Sequence, residues 1–165
     1  MAKHAESLDP IVHSFPATAE PAEPWMELNV TVAYQDLLTR EWAWAVCDHT
    51  VRRVGTGTLR STWWKMDFLE HPPLLTQAVQ AAVQADAIIV ALHAAKTLPD
   101  ALCRWFDEWL TQCAQKESTT NNALIALIAA TSQTASHLES TRAYLRNVAD
   151  QGRWDFLPQE KLVVV

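Results

Sequence analysis

Short β-rich runs take turns along this chain with stripes of apolar residues at helical spacing. The runs are "LNVTVAY" (28–34), "TLRSTWWKM" (58–66), "DAIIVAL" (86–92), "ALIALIAA" (123–130) and the shorter "WDFLP" (154–158). The third and fourth are apolar at nearly every position, the mark of strands covered on both faces. Between the first two lies "TREWAWAVCDHTVRRVG" (39–55), with Trp42, Ala43, Val46, Thr50 and Val54 near helical spacing. Thr39 is placed to cap this helix and Gly55 to close it, and Gly55 to Gly57 turn the chain into the second strand. Pro72 and Pro73 open the next helix, over 73–85, on which Leu74, Leu75, Ala78, Val79, Ala82 and Val83 form one stripe. A third helix carries Pro99 in its first turn, and Leu98, Ala101, Leu102, Trp105, Phe106, Trp109 and Leu110 recur along one side. Polar "QKESTTNN" makes the return to the fourth strand, and a last helix over 137–152 ends at Gly152.

Strand–helix alternation repeated four times, with continuous apolar central strands, predicts a three-layer, doubly wound α/β domain built on a five-stranded parallel sheet. The domain is expected over 27–158. Residues 1–26 hold Pro10, Pro16, Pro21 and Pro24 without an apolar period and read as an arm or tail. "IVHSF" and Trp25 are apolar enough for that arm to lie on the domain or on a neighbouring subunit. "QEKLVVV" (159–165) reads as a C-terminal tail or an extra edge strand.

Composition narrows the chemistry. The 165 residues carry a net charge of −6, and the 13 Lys and Arg are scattered rather than clustered. That pattern argues against nucleic-acid or membrane partners, which need concentrated positive charge. No apolar run approaches the ~20 residues of a membrane span, no signal-peptide core is present, and a cytoplasmic location is expected. The three cysteines, Cys47, Cys103 and Cys113, form no metal pattern. On one helix Cys103 and Cys113 would stand ~15 Å apart along the axis, so free thiols are expected. The six histidines include no close-spaced pair, so no metal site is expected. Glycine is scarce: there are three where average usage would give roughly four times as many. A glycine-rich phosphate cradle cannot be built from them.

The order of five strands and four helices resembles the flavodoxin-like folds. Asp86 to Leu110 is similar to the third strand and following helix of NADPH-dependent FMN reductases and flavodoxin-type quinone reductases. The matching residues are Asp86, the apolar "AIIV", Leu98, Pro99, Leu102, Asp107, Trp109 and Leu110. The resemblance implies the strand order 2-1-3-4-5 and an FMN site at the carboxyl ends of the strands. In those families the loop after the first strand holds the FMN phosphate through Ser, Thr, Gly or Arg and the next helix's N-terminus. The loop after the third strand sets a tyrosine or another planar group beside the flavin. Here the first loop is "YQDLLTR", which lacks glycine and carries the carboxylate of Asp36, with Thr39 and Arg40 as the remaining donors. The second is "LHAAKT", whose one planar group is the imidazole of His93.

In a 2-1-3-4-5 sheet, ligands bind where the strand order reverses. The strand ends there bring together Tyr34, Gln35 and Asp36, then His93 and Lys96, then Thr131, Ser132 and Gln133. Asp36 beside His93 is an arrangement that tunes a base near neutral pH. If FMN binds, its contacts are expected at Thr39, Arg40, His93 and Thr131, with Gln35, Asp36 and Ser132 around them. Otherwise the same crevice serves another small polar ligand, or none. The other candidate classes are a receiver-like regulatory module, which would lack the phosphoacceptor Asp because His93 or its neighbours stand in its place, and a protein-interaction module. The latter draws on eight tryptophans, with Trp63 and Trp64 on opposite strand faces. A homodimer is expected. Ser–His–Asp hydrolysis fits poorly, because no G-x-S-x-G turn is present.

Overall fold

The computed structural model describes residues 11–16, 27–54, 58–115 and 122–164. The elements in chain order are β1 (Ile11–Pro16), β2 (Glu27–Tyr34), α1 (Leu37–Val54), β3 (Thr58–Lys65), a 3-10 turn (Met66–Glu70) and α2 (Pro72–Gln84). They continue with β4 (Ala87–His93), α3 (Asp100–Cys113), β5 (Ala123–Ala130), α4 (Leu138–Gly152) and β6 (Asp155–Leu162). The turn expected at Gly55–Gly57, Trp25, most of the prolines of the arm and most of the polar return before β5 lie outside the described residues.

The sheet runs β1-β3-β2-β4-β5-β6. Its five parallel strands take the expected 2-1-3-4-5 order, and β1 adds a sixth, antiparallel to β3 with Ile11 opposite Trp63 and Pro16 opposite Thr58. Residues 11–16, expected within an arm, are therefore a sheet edge. Six residues flanked by Pro10 and ended by Pro16 give too short a pattern to stand out in the sequence. They are placed by the open ladder of β3.

The last strand also differs, running to Leu162 rather than stopping at Pro158. Asp155 donates to Asn122 O at 2.8 Å and Val163 to Ala130 O at 2.7 Å, so odd-numbered residues of β6 send their N–H groups toward β5. Pro158, an even-numbered position, faces outward, where a missing N–H costs nothing. The same proline, beside Glu160 and Lys161, blunts the edge against pairing with another strand.

α2, α3 and α4 cover one face of the sheet and α1 the other. The larger core gathers Trp64, Met66, Leu69, Val79, Ile88, Leu102, Trp105, Phe106, Trp109, Leu145 and Trp154. The smaller gathers Val30, Val32, Tyr34, Ala43, Cys47, Trp63, Ile89 and Leu127 beneath α1. Strand alternation splits Trp63 and Trp64 between the two, and both are buried. The sequence "STWW" solves the polar problem this creates. Each indole N–H finds a hydroxyl two residues back on its own face, Trp63 donating to Ser61 Oγ at 2.8 Å and Trp64 to Thr62 Oγ1 at 3.2 Å. Among the described residues no helix is long and apolar enough to cross a membrane.

The end of α4 separates two roles that glycine usually combines. Gly152 is the last helical residue, and the left-handed position belongs to Arg153, with φ at 61°. Trp154 donates to Ala149 O at 2.9 Å and Arg153 to Asp150 O at 3.1 Å, the bond pair of a Schellman cap. Gly152 is needed for space instead: a Cβ there would meet Trp109 Cη2 at 3.1 Å and Leu110 Cδ2 at 3.3 Å. Trp109 is fully buried, with its ring edge-on to Trp154 at 5.0 Å, and has little room to yield. Two substitutions one residue apart should therefore act in opposite directions in denaturant unfolding. Arg153→Gly raises stability by ~1 kcal/mol through relief of the left-handed backbone, and Gly152→Ala lowers it by about 1 kcal/mol through overpacking.

Candidate functional site

The strand order reverses between β2 and β4, and the turn from β2 into α1 sits at that point. Its conformation follows from two side chains three residues apart. Asp36 takes the N-cap position of α1, its Oδ1 accepting the Thr39 N–H at 3.1 Å. Thr39 answers with its hydroxyl oxygen, which accepts the N–H of Asp36 at 2.9 Å and that of Gln35 at 3.0 Å. This is a capping box with the hydroxyl and carboxylate exchanged between its two positions. Thr39, expected as the cap, is instead the third helical residue and completely buried. Its hydroxyl hydrogen is directed at Asp36, whose backbone O and Oδ1 both lie at 3.0 Å.

β4 closes the arrangement. His93 Nε2 lies 2.7 Å from Asp36 Oδ2, while the His93 backbone N–H donates to Gln35 Oε1 at 2.8 Å. Gln35 N–H also reaches Ala91 O at 3.1 Å, and Ala94 N–H donates to Ala129 O at 2.8 Å. Gln35, Asp36, Thr39 and His93 thus form one network bridging the ends of β2 and β4. It remains open to solvent, with the His93 side chain 32% exposed and that of Asp36 49% exposed. Partial burial pushes the Asp36 carboxyl upward. The Thr39 N–H, His93 and the Thr39 hydroxyl outweigh it and hold the group below the usual carboxylate range.

The other sequence candidates lie elsewhere. The Arg40 guanidinium sits over the rings of Tyr34 and Trp63, at 6.0 and 5.8 Å from their centroids, in the aromatic layer beneath α1. Thr131 is engaged in its own turn, its N–H donating to Thr134 Oγ1 at 2.8 Å and its hydroxyl accepting Gln133 N–H at 3.2 Å. Ser132, Gln133 and Lys96 are exposed. Thr141, not singled out in the sequence, anchors the loop after His93. Its hydroxyl lies 3.3 Å from both the N–H and the O of Ala95. Its signal was a polar residue on the buried side of α4.

A flavin phosphate at this turn would need free N–H donors and no competing negative charge. The amides of Gln35, Asp36 and Thr39 are already satisfied, and those of Leu37 and Leu38 flank a carboxylate held in its charged form. The residues present do not fit the phosphate. Cys47 offers no nucleophile either, because burial pushes its thiol up to about 12.

The depressed Asp36 carboxyl stabilises the fold above the ordinary carboxylate pKa, and that contribution is lost as pH falls through the lowered value. Asp36→Ala should therefore cost about 1 kcal/mol near neutral pH as a lost cap. Chemical unfolding of both proteins across pH 7 to 3 should show the difference shrinking below about pH 4.

No protein-family model matches the sequence, and no curated protein matches it. Solved structures do match in shape. One is a short-chain flavodoxin associated with a non-canonical PDU bacterial microcompartment, at 13% identity over 83% of each chain and a TM-score of 0.54. A second is general stress protein 14 from Treponema denticola in complex with FMN, at 13% identity over 81% of this chain and 85% of that one, with a TM-score of 0.54. A third is the apo form of an NADH:FMN oxidoreductase, at 19% identity over 82% of this chain and 75% of that one, with a TM-score of 0.55. At such identities the likeness is one of architecture, and it agrees with the strand order and helix placement described above: the chain has the flavodoxin-like fold.

Proposed function

We propose that this chain uses the flavodoxin-like fold without a bound flavin, its crevice between β2 and β4 taking a small polar ligand other than FMN. The observation that carries this reading is the capture of the turn's donors by the chain itself. The Asp36 carboxylate lies where relatives of this fold would receive a phosphate, and Thr39 and His93 satisfy it. A second anion at that point meets a charge already in place. The ligand this favours is uncharged or cationic. Leu37 and Leu38, both exposed beside Asp36, add apolar surface at the mouth.

The second reading, an FMN-dependent reductase, draws support from structural neighbours that include an FMN complex and an NADH:FMN oxidoreductase. Fold alone does not transmit that activity. A receiver-like role dependent on aspartyl phosphorylation is disfavoured, since His93 ends β4, where the phosphoacceptor would stand, and Asp36 is already paired with it.

The visible spectrum decides between the first two readings. Purified protein incubated with excess FMN and passed through a desalting column should emerge colourless. Retention of about one FMN per chain would contradict the proposal and restore the reductase reading.

A further inference from the structure

We propose that Asp36 and His93 form an oriented general-base dyad, with His93 Nδ1 as the base for hydrolysis of a small, uncharged ester. The inference rests on the flavin-free reading of the crevice and adds a chemistry to it. An ionised carboxylate accepts hydrogen bonds and donates none. With Asp36 Oδ2 at 2.7 Å, the proton of neutral His93 is therefore fixed on Nε2. Nδ1 is left with its lone pair and has no partner among the described residues.

The ring is held at Nε2, and its backbone is held separately. Asp36 is fixed by the Thr39 N–H and hydroxyl, and the His93 backbone by Gln35 Oε1. A base oriented by a third group that is itself hydrogen-bonded is the arrangement that proton-transfer catalysis requires. The imidazole is partly exposed at the crevice where this fold places its ligands. Asp36 repels anions, while exposed Leu37 and Leu38 favour an apolar acyl group.

In the reaction, Nδ1 takes a proton from water as the water oxygen bonds to the acyl carbon. Collapse of the adduct breaks the bond to the leaving alkoxide, which receives the proton from Nδ1. The products are a carboxylic acid and an alcohol, and the dyad returns to its starting state. His93 acts as the catalytic base and Asp36 as its positioning residue.

Two measurements on the full chain test this. Long-range ¹H–¹⁵N spectra of ¹⁵N-histidine-labelled protein should show neutral His93 as the Nε2–H tautomer, giving way to a mixture in Asp36→Asn. The Nδ1–H tautomer, or a His93 signal unmoved by Asp36→Asn, overturns the dyad. Hydrolysis of p-nitrophenyl acetate should fall about a hundredfold in His93→Gln, with the exposed imidazoles of His49 and His71 left as internal controls. Equal rates in the two proteins overturn the catalytic role. A colourless protein with equal rates removes the dyad and leaves the flavin-free reading standing, whereas retained FMN removes that reading whatever the rates.

Discussion

The site depends on one constraint, the reciprocal hold between Asp36 and Thr39 at the start of α1. The N–H groups of Gln35, Asp36 and Thr39 and the Thr39 hydroxyl meet there, and each oxygen of the Asp36 carboxylate is committed, one to Thr39 and one to His93. That commitment sets the turn out of β2 and the entry angle of α1 over the smaller core. It also ties the end of β4 to the same turn, so the two strands flanking the reversal of order share a polar clasp as well as a backbone ladder. Remove the carboxylate and the cap, the pairing of His93 and the negative charge in the crevice all go together.

The architecture and this turn are specified by different parts of the chain. The fold is specified by features remote from the turn: the fully apolar runs of β4 and β5, the stripes of α2 and α3, and the Ser61–Trp63 and Thr62–Trp64 pairs that let two large rings be buried back to back across a sheet. None of these requires a ligand. At the turn, the side chains of Asp36 and Thr39 accept the N–H groups of Gln35, Asp36 and Thr39. Glycine scarcity is the compositional trace of the same fact, since closed turns with side-chain caps do not need open, glycine-lined backbone.

Much of the architecture was legible because its signals were local. β5 is bounded in the sequence where it is bounded in space, and α2 begins at its proline pair. The misread features all depend on partners far along the chain. β1 exists because β3 offers a ladder. β6 passes through Pro158 because that residue faces away from β5. Gly152 answers to Trp109 on another helix rather than to its own backbone angle. The site was legible as a set of residues at strand ends, and Asp36 beside His93 was the pair the topology predicted. What no pattern in the sequence revealed was allegiance: that Thr39 faces inward to serve Asp36, that Arg40 lies over Tyr34 and Trp63, and that Thr131 closes its own turn.

The claim at the centre of this account is that the turn between β2 and α1 is closed by its own side chains. Amide hydrogen exchange on the protein without added ligand tests it directly. The account predicts that the amides of Gln35, Asp36 and Thr39 exchange slowly, with protection approaching that of β4, and that those of Leu37 and Leu38 exchange fast. Rapid exchange at all five positions, with β4 still protected, would contradict it, for the turn would then be open and its donors free for a ligand.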